Sequence, residues 1–177
     1  MRRRFPPKIA RCQKGSAAAE MAMVTPLLII LMFGAFELGN YFLSEHVVVK
    51  AVRDGARYAS RMGFSNFTCS SASTGTAVSD PVLTNTRNLV RTGQPSVGGT
   101  ERLAGWTDET TISVTYDCID ASTATPAYTG IYRGMTYVPV VQVAVEDLDY
   151  TTLFSNIGFS SATLELNAES QVPVMGI

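Results

Sequence analysis

Charge is scarce in this chain. Only 16% of its 177 residues are Asp, Glu, Lys or Arg, against roughly 25% in ordinary soluble domains, which argues against a wholly cytosolic globule. Histidine is scarcer still. His46 is the only one, and three cysteines (Cys12, Cys69, Cys118) complete the soft-ligand inventory. One histidine distant from the cysteines cannot supply four ligands, so no metal set is expected and His46 reads as structural. No serine sits in a nucleophile motif, and no glycine-rich phosphate loop is present. The acidic run Glu146-Asp147-Leu148-Asp149 lacks the spaced oxygen ligands of a calcium loop and reads as a solvated turn at a strand exit. Trp106, the one tryptophan, reads as a packing residue. No enzyme, cofactor or metal site is expected.

What charge there is lies unevenly. Residues 1–15 hold six bases (Arg2, Arg3, Arg4, Lys8, Arg11, Lys14) and no acid, leaving eight bases against all fifteen acids, about −7, for the remainder. An acidic body argues against nucleic acid as a partner. After the basic leader, Met21–Phe36 runs sixteen residues without a charge. At 1.5 Å per residue that is about 24 Å of helix, short of a ~30 Å hydrocarbon core. Ala17–Ala19 and Leu38–Leu43 extend it, interrupted by Glu20 and Glu37. A buried core helix and a removed secretory segment are the alternatives to a membrane span. The one-sided basic cluster favours the span, with residues 1–14 on the cytoplasmic side and the acidic body outside. No small-x-small cleavage site follows the run, which continues into the bulky FELGNYFLSEH, so the helix is expected to stay attached.

Glu20 stands at the edge of the apolar span, where a carboxylate costs a few kcal/mol unless paired, snorkelling or protonated. Either it lies at the headgroup boundary or it has a partner. Its context is Lys14-Gly15-Ser16-Ala17-Ala18-Ala19-Glu20-Met21, which resembles the processing site of type IV prepilins, in particular the Gly-four residues-Glu pattern of the tight-adherence (Tad/Flp) pilus system. The resemblance implies cleavage after Gly15 by a membrane-embedded prepilin peptidase. Glycine lets the backbone approach such an enzyme closely. In the mature subunit Glu20 is then expected to pair with the new α-amino group of Ser16 on a neighbouring subunit, neutralising two charges in lipid.

Periodicity does not stop at the membrane run. Leu38, Tyr41, Phe42, Val48, Val49, Val52, Ala56, Ala59 and Met62 recur at three- and four-residue steps, and Asn40, Ser44, Lys50, Arg53, Asp54, Arg57 and Arg61 occupy the opposite face. Gly63 reads as the stop. One helix of roughly 70 Å is expected from Ser16 to Met62, with Pro26 inside it. Arg53, Arg57 and Arg61 lie one turn apart as a basic stripe; they are either a solvated face or a subunit contact onto acidic surfaces. Gly55, Ala56 and Ala59 leave room for close packing, and Gly34 is a further small residue in the helix. The stretch EMAMVTPLLIILMFGAFELG followed by VRDGARYA resembles the TadE-like minor pilin (pseudopilin) family, with its Glu-containing apolar helix, internal Pro and R-x-G-A-R-x-A segment in that order. The likeness is best over residues 15–62, weaker over 136–174 and essentially absent between.

Beyond the helix, Phe64–Ala77 reads as a loop. Asp80-Pro81 reads as an N-cap followed by proline at the first position of a short helix that ends at Gly93. Thr110–Cys118 alternates, with Ile112, Val114, Tyr116 and Cys118 on one face, and reads as a strand. Met135–Val145 is a second, where Pro139 suggests an edge or bulge, and Ala162–Ala168, running on towards Val174, is a third. Tyr150–Ile157 reads as a helical turn or compact loop. Cys12 lies in the leader. Cys69 and Cys118 are an even pair outside the cytoplasm and are expected either to bridge or to remain two buried thiols. A bridge over a ~50-residue loop contributes about 3–4 kcal/mol in the chain-entropy model.

These readings combine into an α+β chain: a leader (1–15), a transmembrane and amphipathic stalk helix (16–62), and a head (63–177) whose small antiparallel sheet packs on the stalk. The family resemblance implies a single-pass protein of the bacterial inner membrane with a periplasmic head. It implies a prepilin peptidase, other pilin or pseudopilin subunits, the pilus assembly platform and membrane lipid as partners. It also implies a subunit that is either built into an extracellular tight-adherence pilus or primes its assembly. A membrane-anchored extracytoplasmic binding or sensor domain, its leader only an orientation signal, is the competing expectation.

Overall fold

A computed structural model describes residues 15–124, 127–154 and 164–177. Residues 1–14 of the leader, including Cys12, lie outside them, as do the last three residues of the connector expected at Tyr150–Ile157 and the first two of the strand expected from Ala162. The element order is α1 (Ser16–Ser60), β1 (Ser73–Ala77), α2 (Val82–Thr92), β2 (Ile112–Asp120), β3 (Tyr137–Asp149) and β4 (Glu165–Pro173). This is the expected α+β arrangement, a long apolar N-terminal helix with a small antiparallel sheet, and the sheet has four strands rather than three.

The chain divides into two compact units, and the second runs from Asn40 to Ile177. In the first, the large apolar residues of α1 are all exposed, from 43% at Ile29 to 81% at Met23. α1 is long and apolar enough there to cross a bilayer, consistent with a single-pass membrane anchor.

In the second unit the sheet runs β1-β2-β3-β4, each pair antiparallel. Residues 40–60 of α1 and the whole of α2 cover one face. Alternation does the work: Ile112, Val114, Tyr116 and Cys118 of β2 and Val141, Val143 and Val145 of β3 point inward and are buried with Val48, Val52, Ala56 and Ala59 of α1 and Val90 of α2. Trp106 is 1% exposed and donates from Nε1 to Thr111 Oγ1 at 3.1 Å, as a packing residue with a satisfied polar edge.

α1 ends at Ser60, two residues before the expected Met62. Arg61 and Met62 donate back to Tyr58 and Ala59 in tightened three-residue bonds, and Met175 N–H meets the Ser60 carbonyl at 2.6 Å. Gly63 is extended (φ −58°, ψ 145°), not the left-handed stop expected of it. That role is taken at Gly93, φ 85°, which donates to the Leu89 carbonyl at 2.8 Å and closes α2. At the other end of α2, Pro81 rather than Asp80 occupies the cap position, a one-residue shift. Asp80 still accepts from the hydroxyl and the N–H of Thr84, which hold its carboxyl below the usual range.

Four further expectations are corrected. Residues 73–77, read as loop, form β1; its register shifts between Ser73 and Thr76 and it pairs with β2. Pro139 does not mark an edge, because β3 is flanked by β2 and β4. Its carbonyl accepts from Val174 N–H at 2.9 Å, so its backbone faces the side where the β4 ladder has just ended at Pro173, and no ladder bond is lost to β2. Glu146–Asp149, read as a turn, continues β3 through a bulge at Asp147 (φ 54°), whose N–H is taken by Asn167 Oδ1 at 2.9 Å. Finally, Asn40 and Ser44, assigned to the polar face of the helix, line the head side. Phe42, assigned to the buried stripe, is 50% exposed.

Candidate functional site: three surfaces of the long helix

Gly15 immediately precedes α1 and Ser16 opens it. Gly15 is exposed, and a Cβ built on it meets nothing within 4 Å among the described residues. Glu20 lies on the first turns and is exposed.

The apolar run follows. Pro26 is exposed, Thr25 returns its hydroxyl to the Met21 carbonyl at 2.6 Å, and a Cβ at Gly34 meets open space. These helix-packing candidates therefore have no packing partner within 4 Å of Gly34 among the described residues.

Gly55, Ala56 and Ala59 behave differently. They are buried against their own head. A Cβ on Gly55 would collide with Val90 Cγ2 and would stand 3.5 Å from Thr86 Cγ2 and 3.6 Å from Val143 Cγ1. The glycine is what brings α1 down onto α2 and β3 together. Asp54, beside it, is held by both Nη atoms of Arg102 at 3.1 Å, pinning the loop after α2 to the helix. Nearer the start of the second unit, Tyr41 packs edge-on to Tyr150 with ring centroids 5.2 Å apart, and Asn40 Nδ2 donates to the Tyr150 hydroxyl at 2.6 Å. A cavity of about 440 Å³ opens here, lined among others by Asn40, Ser44, Trp106 and Tyr150. The alternation read along the helix identified none of these polar contacts, because a polar residue that meets a buried partner looks in sequence like one that meets water.

The third surface is charged. Lys50, Arg53, Arg57 and Arg61 are all exposed, and among the described residues none of them pairs with a carboxylate. By contrast Arg87 and Arg91 are committed to backbone carbonyls, of Ile112 at 3.0 Å and Thr107 at 2.8 Å. Cys69 and Cys118 are bonded to each other across 49 residues, Cα to Cα 5.6 Å, fastening the segment before β1 to the inward face of β2. Phe67 and Tyr116 stack edge-on beside the bridge at 5.5 Å. Among the described residues there is no group of three or more His, Cys, Asp or Glu side chains placed to hold a metal.

No curated protein and no solved structure matches the chain. Residues 15–57, from the open glycine through the apolar run to the middle arginine of the stripe, match the family model of TadE-like proteins, and it is to that family that this part of the chain is similar.

Proposed function

We propose that the chain is a minor pilin of a tight-adherence pilus, made as a precursor, cut between Gly15 and Ser16 by a prepilin peptidase, and assembled with other pilin subunits through the bare half of α1. It is not an enzyme; its chemistry is that of a substrate. Peptidase-bound water adds across the Gly15–Ser16 bond, leaving a carboxylate on the departing leader and a new amine on Ser16. In an apolar setting that amine and the Glu20 carboxylate of a neighbour neutralise one another.

The observation that carries this reading is the coincidence at one helix end. An exposed glycine and a glutamate five residues later stand directly before a run of apolar side chains that are all exposed among the described residues. A buried core helix would have hidden those side chains. A basic leader on the cytoplasmic side would place the acidic head in the periplasm of the bacterial cell.

Substitution at the scissile position tests it. In cells containing the peptidase, Gly15→Trp is expected to leave the precursor at full size while the wild type shortens. Glu20→Ala is expected to be cleaved but poorly assembled, and normal pili in that strain would remove the pairing role. The cavity beside Asn40 favours a second reading, a membrane-anchored binding domain. That reading predicts no difference in size between wild type and Gly15→Trp.

A further inference from the structure

The four strands carry seven acids (Asp117, Asp120, Glu146, Asp147, Asp149, Glu165, Glu169) and not one lysine or arginine. All eight bases after residue 15 lie on the helices or in loops. The pairing register places Asp117, Glu146, Asp149, Glu165 and Glu169 on the sheet face turned away from the helices, because their neighbours Cys118, Val145, Leu148, Leu166 and Ala168 are the inward ones. Lys50, Arg53 and Arg57 line the side of α1 turned away from the sheet, and the exposed Arg61 follows directly after its last residue. The second unit therefore has a cationic outer surface on its helix layer and an anionic one on its sheet layer, back to back.

We infer that copies of this chain associate head to tail, the outer sheet face of one docking on the α1 stripe of the next. This rests on the assembly reading above for placing the copies in one membrane, and names the second copy itself as a partner. Charge complementarity selects this pairing over the others: stripe on stripe and sheet on sheet bring like charges together. A contact between two different surfaces does not close on itself, so it extends into a row rather than a two-fold dimer. The dimensions agree, since Lys50 to Arg61 spans about 17 Å of helix and Asp117 to Glu146, six residues apart along the register, about 20 Å of sheet.

Each surface also carries an internal repulsion that a partner would relieve. Asp149 and Glu165 are directly opposite one another on β3 and β4, an arrangement of like charges that is destabilising in isolation. Arg53, Arg57 and Arg61 repeat at four-residue steps, where like charges oppose the helix by similar amounts.

Sedimentation of the full-length chain in neutral detergent micelles tests this. Wild type is expected to form concentration-dependent oligomers that weaken by about tenfold or more when salt is raised to about 0.5 M, where screening is short-ranged. A helix-reversed chain (Arg53→Glu, Arg57→Glu, Arg61→Glu) and a sheet-reversed chain (Glu146→Lys, Glu165→Lys, Glu169→Lys) should each stay monomeric. Mixed in equal amounts they should associate again, since each now offers the surface the other lacks. The intact Cys69–Cys118 bridge in both variants reports that the head has folded. A monomeric wild type overturns the inference, as does association that neither reversal disturbs, or failure of folded variants to rescue one another. Loss of binding to anionic vesicles by the helix-reversed chain, with a monomeric wild type, assigns the stripe to lipid instead. A chain that begins at Ser16 but stays monomeric sinks this inference and leaves the processing reading standing; a head-to-tail oligomer that retains its leader does the opposite.

Discussion

Two stretches of one helix solve opposite problems. Between Met21 and Leu38 the large apolar side chains of α1 are all exposed, and a Cβ added at Gly34 would meet nothing within 4 Å among the described residues. From Asn40 to Ser60 the same helix buries Val48, Ala51, Val52, Ala56 and Ala59 completely, and a glycine at position 55 is so tightly enclosed that a methyl group would collide with Val90. Propensity does not separate the two; both are helical. What differs is who provides the covering. The second stretch is covered by the chain's own sheet and α2, while the first is exposed among the described residues and long and apolar enough to cross a bilayer, where about 25 cal/mol per Å² of apolar surface would be removed from water. A stretch that is apolar on all sides gives way here to one that is striped, and only the striped one packs against the head.

This contrast can be broken by removing what holds the covered half. Replacing both Cys69 and Cys118 by serine should lower the head's unfolding free energy by about 4 kcal/mol, from the 49-residue separation in the chain-entropy relation. Thermal unfolding followed by near-ultraviolet circular dichroism measures it, and the helicity of residues 16–39 should be unaffected.

The glycine pair sharpens the contrast more finely. Gly55→Val should cost about 1–3 kcal/mol through overpacking against Val90 and Val143. Gly34→Val should leave head stability unchanged, since an added Cβ there meets nothing within 4 Å among the described residues. Equal effects at the two glycines would remove the distinction between the halves.

Arg102→Ala comes next. The ion pair with Asp54 is partly exposed, 18% and 33% for the two side chains, so after solvent screening its loss should cost about 0.5–1 kcal/mol. Protease susceptibility of the loop between α2 and β2 is the sensitive readout, because that pair fastens the loop to the helix.

The smallest effect concerns pH. Thr84's hydroxyl and N–H depress the Asp80 carboxyl in the folded state. A depressed carboxyl contributes stability that is present above its unfolded pKa and lost as pH falls through its folded one. Thr84→Ala should therefore move the Asp80 titration, followed by NMR, upward towards the ordinary carboxylate range and flatten the acid side of the stability profile. An unmoved titration would show that the cap does not act on this group.

Much of this architecture was legible in the chain. The helix, the inward faces of β2 and the alternation at Leu166 and Ala168 follow from period alone, because each buries one face in the ordinary way. Gly15 and Glu20 stand out in the sequence through their spacing and their place before the apolar run, and the structure adds only that both are exposed. β1 was not. Ser-Thr-Gly-Thr-Ala has no apolar alternation, and the strand exists because the bridge to Cys118 and the edge of β2 hold it there. The end of β3 was hidden by its bulge: one extra residue at Asp147 shifts the period, so Leu148 returns to the inward face out of step. The head-side role of Asn40 depends on Tyr150, more than a hundred residues away, and no local pattern records it. The segregation of charge between helix layer and sheet layer was present in the sequence but invisible as such. It appears only once the register tells which acids share a face.

Intact-mass analysis of the chain isolated from membranes of its own host tests the central claim most directly. The expected species is a mature protein whose first residue is Ser16, with the six leader bases gone and the Cys69–Cys118 bridge intact. A chain that still carries Met1 to Gly15 in the presence of an active prepilin peptidase would contradict it.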